Sequence, residues 1–158
     1  MRHLVREAGL EKDIQIDSAG TGSWHVGEPR DARSSEVGRR RGIPLGGRAR
    51  QFKPEDFARF DYVLAMDKQN RAALLEMAPD DTAAAKVRLL RSYQDRNPES
   101  DPVTSRDEPG RAPEPASDPE ADVPDPYYGG PQGFEQVFDI CEAACRGLLA
   151  ELRRTHNL

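Results

Sequence analysis

Apolar and polar positions along the chain switch repeatedly between helical and extended periods. Leu4, Val5 and Ala8 recur at helical spacing with Gly9 as a stop, so Met1 to Ala8 reads as the end of a helix. Ile14-Gln15-Ile16-Asp17 alternates and predicts a short strand, which leads into a loop from Ser18 to Pro29. A helix is expected from near Asp31 to Arg41, closed by Gly42, and Pro54-Glu55-Asp56 opens a short one ending near Phe60. Tyr62 to Met66 is almost continuously apolar, the pattern of a strand buried on both faces of a parallel sheet. Asp67 is placed to cap a helix through Met77, and Lys86 to Leu90 predicts another strand. Phe134, Val137, Phe138, Cys141, Cys145, Leu148, Leu149 and Leu152 form one apolar stripe, so the last helix should pack on the sheet.

Strands alternating with helices predict a layered α/β fold, in which ligands sit beyond the carboxyl ends of the strands. Asp17-Ser18 and Met66-Asp67 fall at such ends. The length of 158 residues suits a single domain spanning 1–158.

Charge changes the picture at one place. Residues 95–125 carry ten Asp or Glu against three Arg and contain seven prolines, a net of −7 in a chain whose total is −5. The segment from about 95 to 122 is therefore expected to be a disordered acidic insertion, and the remaining body mildly basic. Arg39-Arg40-Arg41 with Arg48 and Arg50 would suit an acidic phosphopeptide or simply a solvated face. Cys141 and Cys145, four apart on one helical stripe, cannot close an ordinary disulfide; they read as core filler in a reducing, cytoplasmic setting. No apolar run has the length of a signal peptide or a membrane span, so secretion and membrane insertion are not expected.

The stretch with the most chemical character is Val123-Pro124-Asp125-Pro126-Tyr127-Tyr128-Gly129-Gly130. Two prolines hold Asp125 on a stiff extended backbone, where its carboxyl can be aimed as a proton donor, and the adjacent rings offer a surface for an aromatic leaving group. From the residues alone a plain Pro/Gly turn fits equally well.

Asp-Pro-Tyr-Tyr-Gly before the helix opening Gly133-Phe134-Glu135 resembles the low-molecular-weight protein-tyrosine phosphatases. So do Asp17-Ser18-Ala19-Gly20-Thr21, Trp24, Arg41-Gly42-Ile43-Pro44, Met66-Asp67 and Leu89-Leu90-Arg91-Ser92-Tyr93, in order along nearly the whole chain. The resemblance implies a doubly wound, Rossmann-like parallel sheet with helices on both faces, without its first strand here. It also implies hydrolysis of phosphate monoesters through a phosphocysteine. Asp125 would be the general acid and base, Trp24, Tyr127 and Tyr128 the walls around the substrate ring, and Ser18 and Asp67 the supports of the phosphate loop. The implied partner is a phosphotyrosine protein or a small aryl phosphate, with no cofactor, metal, nucleic acid or membrane.

The family's phosphate loop, Cys-x5-Arg, does not occur in this sequence. Six positions after Cys141 stands Gly147, and six after Cys145 stands Glu151. No activity is therefore expected of the chain as it stands. Two alternatives remain: an inactive phosphatase-like module that binds partners, and an arsenate-reductase-like protein, which would need redox cysteines where this chain has a core stripe.

Overall fold

The structure, a computed structural model, describes residues 1–94, 122–128 and 130–158. The described part begins with α1 (Arg2–Glu7), α2 (Ala32–Arg40), α3 (Asp56–Arg59), β1 (Val63–Ala65) and α4 (Lys68–Met77). It continues with α5 (Asp81–Ala85), β2 (Val87–Leu89), a 3-10 turn (Leu90–Tyr93), a second 3-10 turn (Pro126–Tyr128) and α6 (Gly130–His156). The expected insertion at about 95–122 lies outside the described residues except for Asp122.

β1 and β2 pair in parallel, Val63 opposite Val87 and Ala65 opposite Leu89, and each face of this small sheet is covered by helices. Side chains alternate across a strand, and the core divides accordingly. Val63, Ala65 and Val87 pack with Phe57 of α3, Leu74 of α4 and Ala83 of α5. Leu64 faces the opposite cluster, in which Leu4 of α1, Leu90, Tyr93 and the α6 residues Ala144, Cys145, Leu148 and Leu152 meet. Burying a leucine side chain contributes about 1.5–3 kcal/mol, so the stripe of α6 holds the second layer in place. Both cysteines lie in or against it, as the stripe predicted.

Local signals account for the helix ends. The Asp31 carboxylate accepts the Arg33 backbone N–H at 2.7 Å and caps α2, and Gly42 just beyond its end adopts φ 70°. The Asp80 carboxylate caps α5 in the same way, accepting the Ala83 N–H at 2.7 Å.

Ile14–Asp17, expected as a strand, is not one. Among the described residues the segment pairs with no neighbour, and the Ile16 carbonyl instead accepts the Arg2 guanidinium at 2.8 and 3.2 Å. Alternation sorts side chains to two faces, but a strand also needs an adjacent edge to bond with, and a cavity occupies that place. Backbone bridges occur further along, between Gly20 and Gln51 and between Pro29 and Arg48.

Candidate active site

The carboxyl end of β1 gathers two loops. The Met66 carbonyl accepts the Val123 N–H at 2.8 Å, so the stretch leading to Asp125 starts where β1 stops. Asp122 anchors the same point twice: its carboxylate accepts the Lys68 N–H at 2.9 Å, and its carbonyl accepts Arg91 Nη1 at 2.9 Å. Val123 is buried, whereas Asp125 is exposed. Asp125 Oδ1 accepts the Tyr127 N–H at 2.9 Å, an Asx turn that fixes the carboxyl against the 3-10 turn behind it. A Cβ at Gly133 would stand 3.4 Å from the Pro126 carbonyl, ordinary van der Waals contact, so the start of α6 lies directly against the turn.

Asp67 caps α4, accepting the Asn70 N–H at 2.6 Å and Asn70 Nδ2 at 2.5 Å. Asn70 Oδ1 in turn accepts the Thr21 hydroxyl at 3.4 Å, which carries the arrangement across to the loop after Ser18. Ser18 is exposed, and its N–H donates to Asp17 Oδ1 at 2.8 Å. Asp17 accepts Arg50 Nε at 3.0 Å, and Arg50 Nη1 donates to buried Asp56 at 2.7 Å. Burial pushes the Asp56 carboxyl up, but hydrogen bonds from Arg50 and the Lys53 N–H outweigh it and leave the group below the usual carboxylate range. The loop carrying Ser18 is thus strapped to residues 50–56 by charge as well as by the Gly20–Gln51 bridge.

Of the residues expected at the site, Ser18, Asp67 and Asp125 stand on segments that converge on the amino end of α4. Trp24 lies further along the loop, 82% exposed, with its indole over Gly22. Tyr127 is 63% exposed. Tyr128 belongs to the turn by its backbone, and its side chain lies outside the described residues. Asn70, Asp122 and Arg91 were not legible as site residues, because each acts through a partner distant in sequence. Arg33 is another: its guanidinium lies over both Tyr127 and Phe134.

The basic run is largely committed to ion pairs. Arg39 pairs with Glu36, Arg40 and Arg41 with Glu135, and Arg41 also with Asp139 at 2.6 Å, binding α2 to α6. Burial pushes the Cys141 thiol up to about 11, the opposite of an activated nucleophile. Among the described residues no group of three or more His, Cys, Asp or Glu is arranged to hold a metal, and no helix is long and apolar enough to cross a membrane.

The model of a family described as low molecular weight phosphotyrosine protein phosphatase matches residues 1–105 and 114–158, leaving a gap inside the acidic segment. A low molecular weight protein-tyrosine-phosphatase of Streptomyces coelicolor is 43% identical over 152 residues, covering 96% of this chain and 81% of its own length. A crystal structure of a protein tyrosine phosphatase from Entamoeba histolytica superposes with a TM-score of 0.78 at 31% identity, over 98% of this chain and 85% of that one. The Drosophila arginine phosphatase superposes with a TM-score of 0.75 at 28% identity, over 96% of this chain and 85% of its own. The chain belongs to the low molecular weight phosphotyrosine protein phosphatase family.

Proposed function

We propose that these residues form the general-acid half of a phosphotyrosine phosphatase site, in which Asp125 serves the leaving oxygen. The carrying observation is the Asp125 turn: an exposed carboxyl, oriented by the Tyr127 N–H, on a segment pinned to the carboxyl end of β1. In the first step a thiolate attacks phosphorus, the bond to the aryl oxygen breaks, and the Asp125 proton passes to that oxygen. In the second, water attacks the phosphocysteine, the Asp125 carboxylate takes its proton, and the sulfur leaves as thiolate. Trp24, Tyr127 and Tyr128 serve as aromatic walls, which favours a phosphotyrosine protein or a small aryl phosphate as substrate. Ser18 and Asp67 steady the neighbouring loop, and the free thiols suit the cytoplasm.

The sequence contains no Cys-x5-Arg, so on this reading a chain of these 158 residues alone should not turn over. An arsenate-reductase-like role is disfavoured by the packed, poorly ionisable Cys141. The test joins a relative's strand and Cys-x5-Arg loop ahead of Met1. Hydrolysis of p-nitrophenyl phosphate should appear in the fusion and be absent from the 158-residue chain. A fusion that folds yet stays inert leaves the binding-module alternative standing.

A further inference from the structure

Arg33, in the first turn of α2, reaches the acid turn from outside it. Asp31 accepts its Nε at 3.0 Å and its Nη2 at 2.7 Å, while its guanidinium carbon lies 4.5 Å from the centroid of the Phe134 ring and 5.1 Å from that of Tyr127. A planar guanidinium can bind a carboxylate along its edge and aromatic rings on its faces at once; an ammonium offers neither a fork nor a face.

Two of these three partners are fixed by their own elements. Asp31 caps α2, accepting the Arg33 N–H at 2.7 Å, and Phe134 is buried in α6. Tyr127 is different. Its ring is exposed, so burial does little to hold it, and the turn that carries it is anchored upstream where the Val123 N–H meets the Met66 carbonyl. Arg33 ties the turn to α2 and α6 beyond that anchor.

The position of Tyr127 matters because its N–H donates to Asp125 Oδ1 at 2.9 Å. A shift of Tyr127 moves that donor, and the carboxyl it orients moves too. Proton transfer requires the carboxyl within hydrogen-bond reach of the leaving oxygen, and a misplacement of about 1 Å can cost as much as about 100-fold in rate.

Resting on the reading of Asp125 as the general acid, we infer that Arg33 is a positioning residue for that acid: aimed by Asp31 and braced on Phe134, it holds the Tyr127 ring and with it the N–H that orients the Asp125 carboxyl. Its action on the reaction passes through Tyr127 and Asp125. One cation over an exposed ring can shift the population of the aligned turn by about two- to fivefold, which sets the size of the effect.

The experiment uses the fusion that carries a relative's strand and Cys-x5-Arg loop, with Arg33→Met, which keeps an unbranched side chain without the cation. Its kcat/KM for phosphotyrosine should fall about two- to fivefold, while kcat/KM for p-nitrophenyl phosphate, whose oxide leaves readily unprotonated, should stay near the parent's. Both esters present an aryl ring to the same walls, so weaker binding or a loosened fold would lower both. In an Asp125→Asn background, Arg33→Met should have no further effect on phosphotyrosine. By NMR, the Tyr127 amide proton should shift as the Asp125 carboxyl titrates, with a smaller amplitude in Arg33→Met, a readout that needs no turnover. Equal losses on the two esters, a further loss in the Asp125→Asn background, or an undiminished amide amplitude would overturn the inference and leave Asp125 as the acid. Failure of Asp125→Asn itself to slow phosphotyrosine would overturn the acid assignment and the role of Arg33 with it.

Discussion

The Arg33 guanidinium lies over the ring of Tyr127, 5.1 Å from its centroid, and over that of Phe134 at 4.5 Å. Asp31 holds the same guanidinium through two hydrogen bonds of 2.7 and 3.0 Å. The start of α2, the acid turn and the start of α6 are therefore joined at one side chain. At an exposed site a cation over an aromatic ring contributes about 0.5–1 kcal/mol. A double-mutant cycle of Arg33→Ala and Tyr127→Ala, read by urea unfolding, should return a coupling in that range, and additive effects would show that the contact is idle.

The Asp31 carboxyl is held down to about 2 from an ordinary 3.8, chiefly by hydrogen bonding from Arg33. A depressed carboxylate contributes stability that is complete above its unfolded value and is lost as pH falls through its folded one. The contribution should thus be present above about pH 4 and disappear towards pH 2. Asp31→Asn keeps a capping side chain without the charge. The variant should lose less stability than the parent between those pH values, a difference that paired urea titrations measure.

Asp56 is buried at 3% exposure, accepts hydrogen bonds from Arg50 and the Lys53 N–H, and forms an ion pair with Arg59 at 3.6 Å. Removing it takes from Arg50 its buried partner, leaving only Asp17 and the Gln51 carbonyl, and loosens the strap behind Ser18. Asp56→Ala should cost about 2–4 kcal/mol in chemical unfolding. Asp17→Ala, at a carboxylate that is 35% exposed, should cost less than about 1 kcal/mol.

These contacts also mark what the sequence could and could not disclose. Asp67 was legible as a cap, and a helix start near Asp31, because a cap acts within three residues. The apolar run at 62–66 showed β1, since burial on both faces leaves a compositional trace, and Lys86–Leu90 was read as the strand that became β2. The helix α5 was not expected from the sequence, although its Asp80 cap is equally local. Ile14–Asp17 misled because alternation records which faces a segment has, whereas pairing depends on what lies beside it. Arg33, Asn70 and Asp122 act across 31 to 94 positions of sequence in their contacts to Arg91, Thr21 and Tyr127, and no local pattern encodes such partners.

Burial that pushes Cys141 up to about 11 leaves almost no thiolate at neutral pH. In the folded chain at pH 8, iodoacetamide should modify Cys141 at least tenfold more slowly than in urea. Rapid modification in the folded state would reopen a redox role for the pair.

The most direct measurement concerns Asp125 in the fusion that carries a Cys-x5-Arg loop. Asp125→Asn withdraws the proton from the leaving oxygen, so kcat on phosphotyrosine should fall by roughly 10² to 10⁴ while binding of the phosphate ester persists. An activated aryl ester, whose oxide leaves readily unprotonated, should lose much less, and the basic limb of the kcat/KM profile should flatten. A near-parental rate on phosphotyrosine in Asp125→Asn would contradict the assignment of this turn as the general acid.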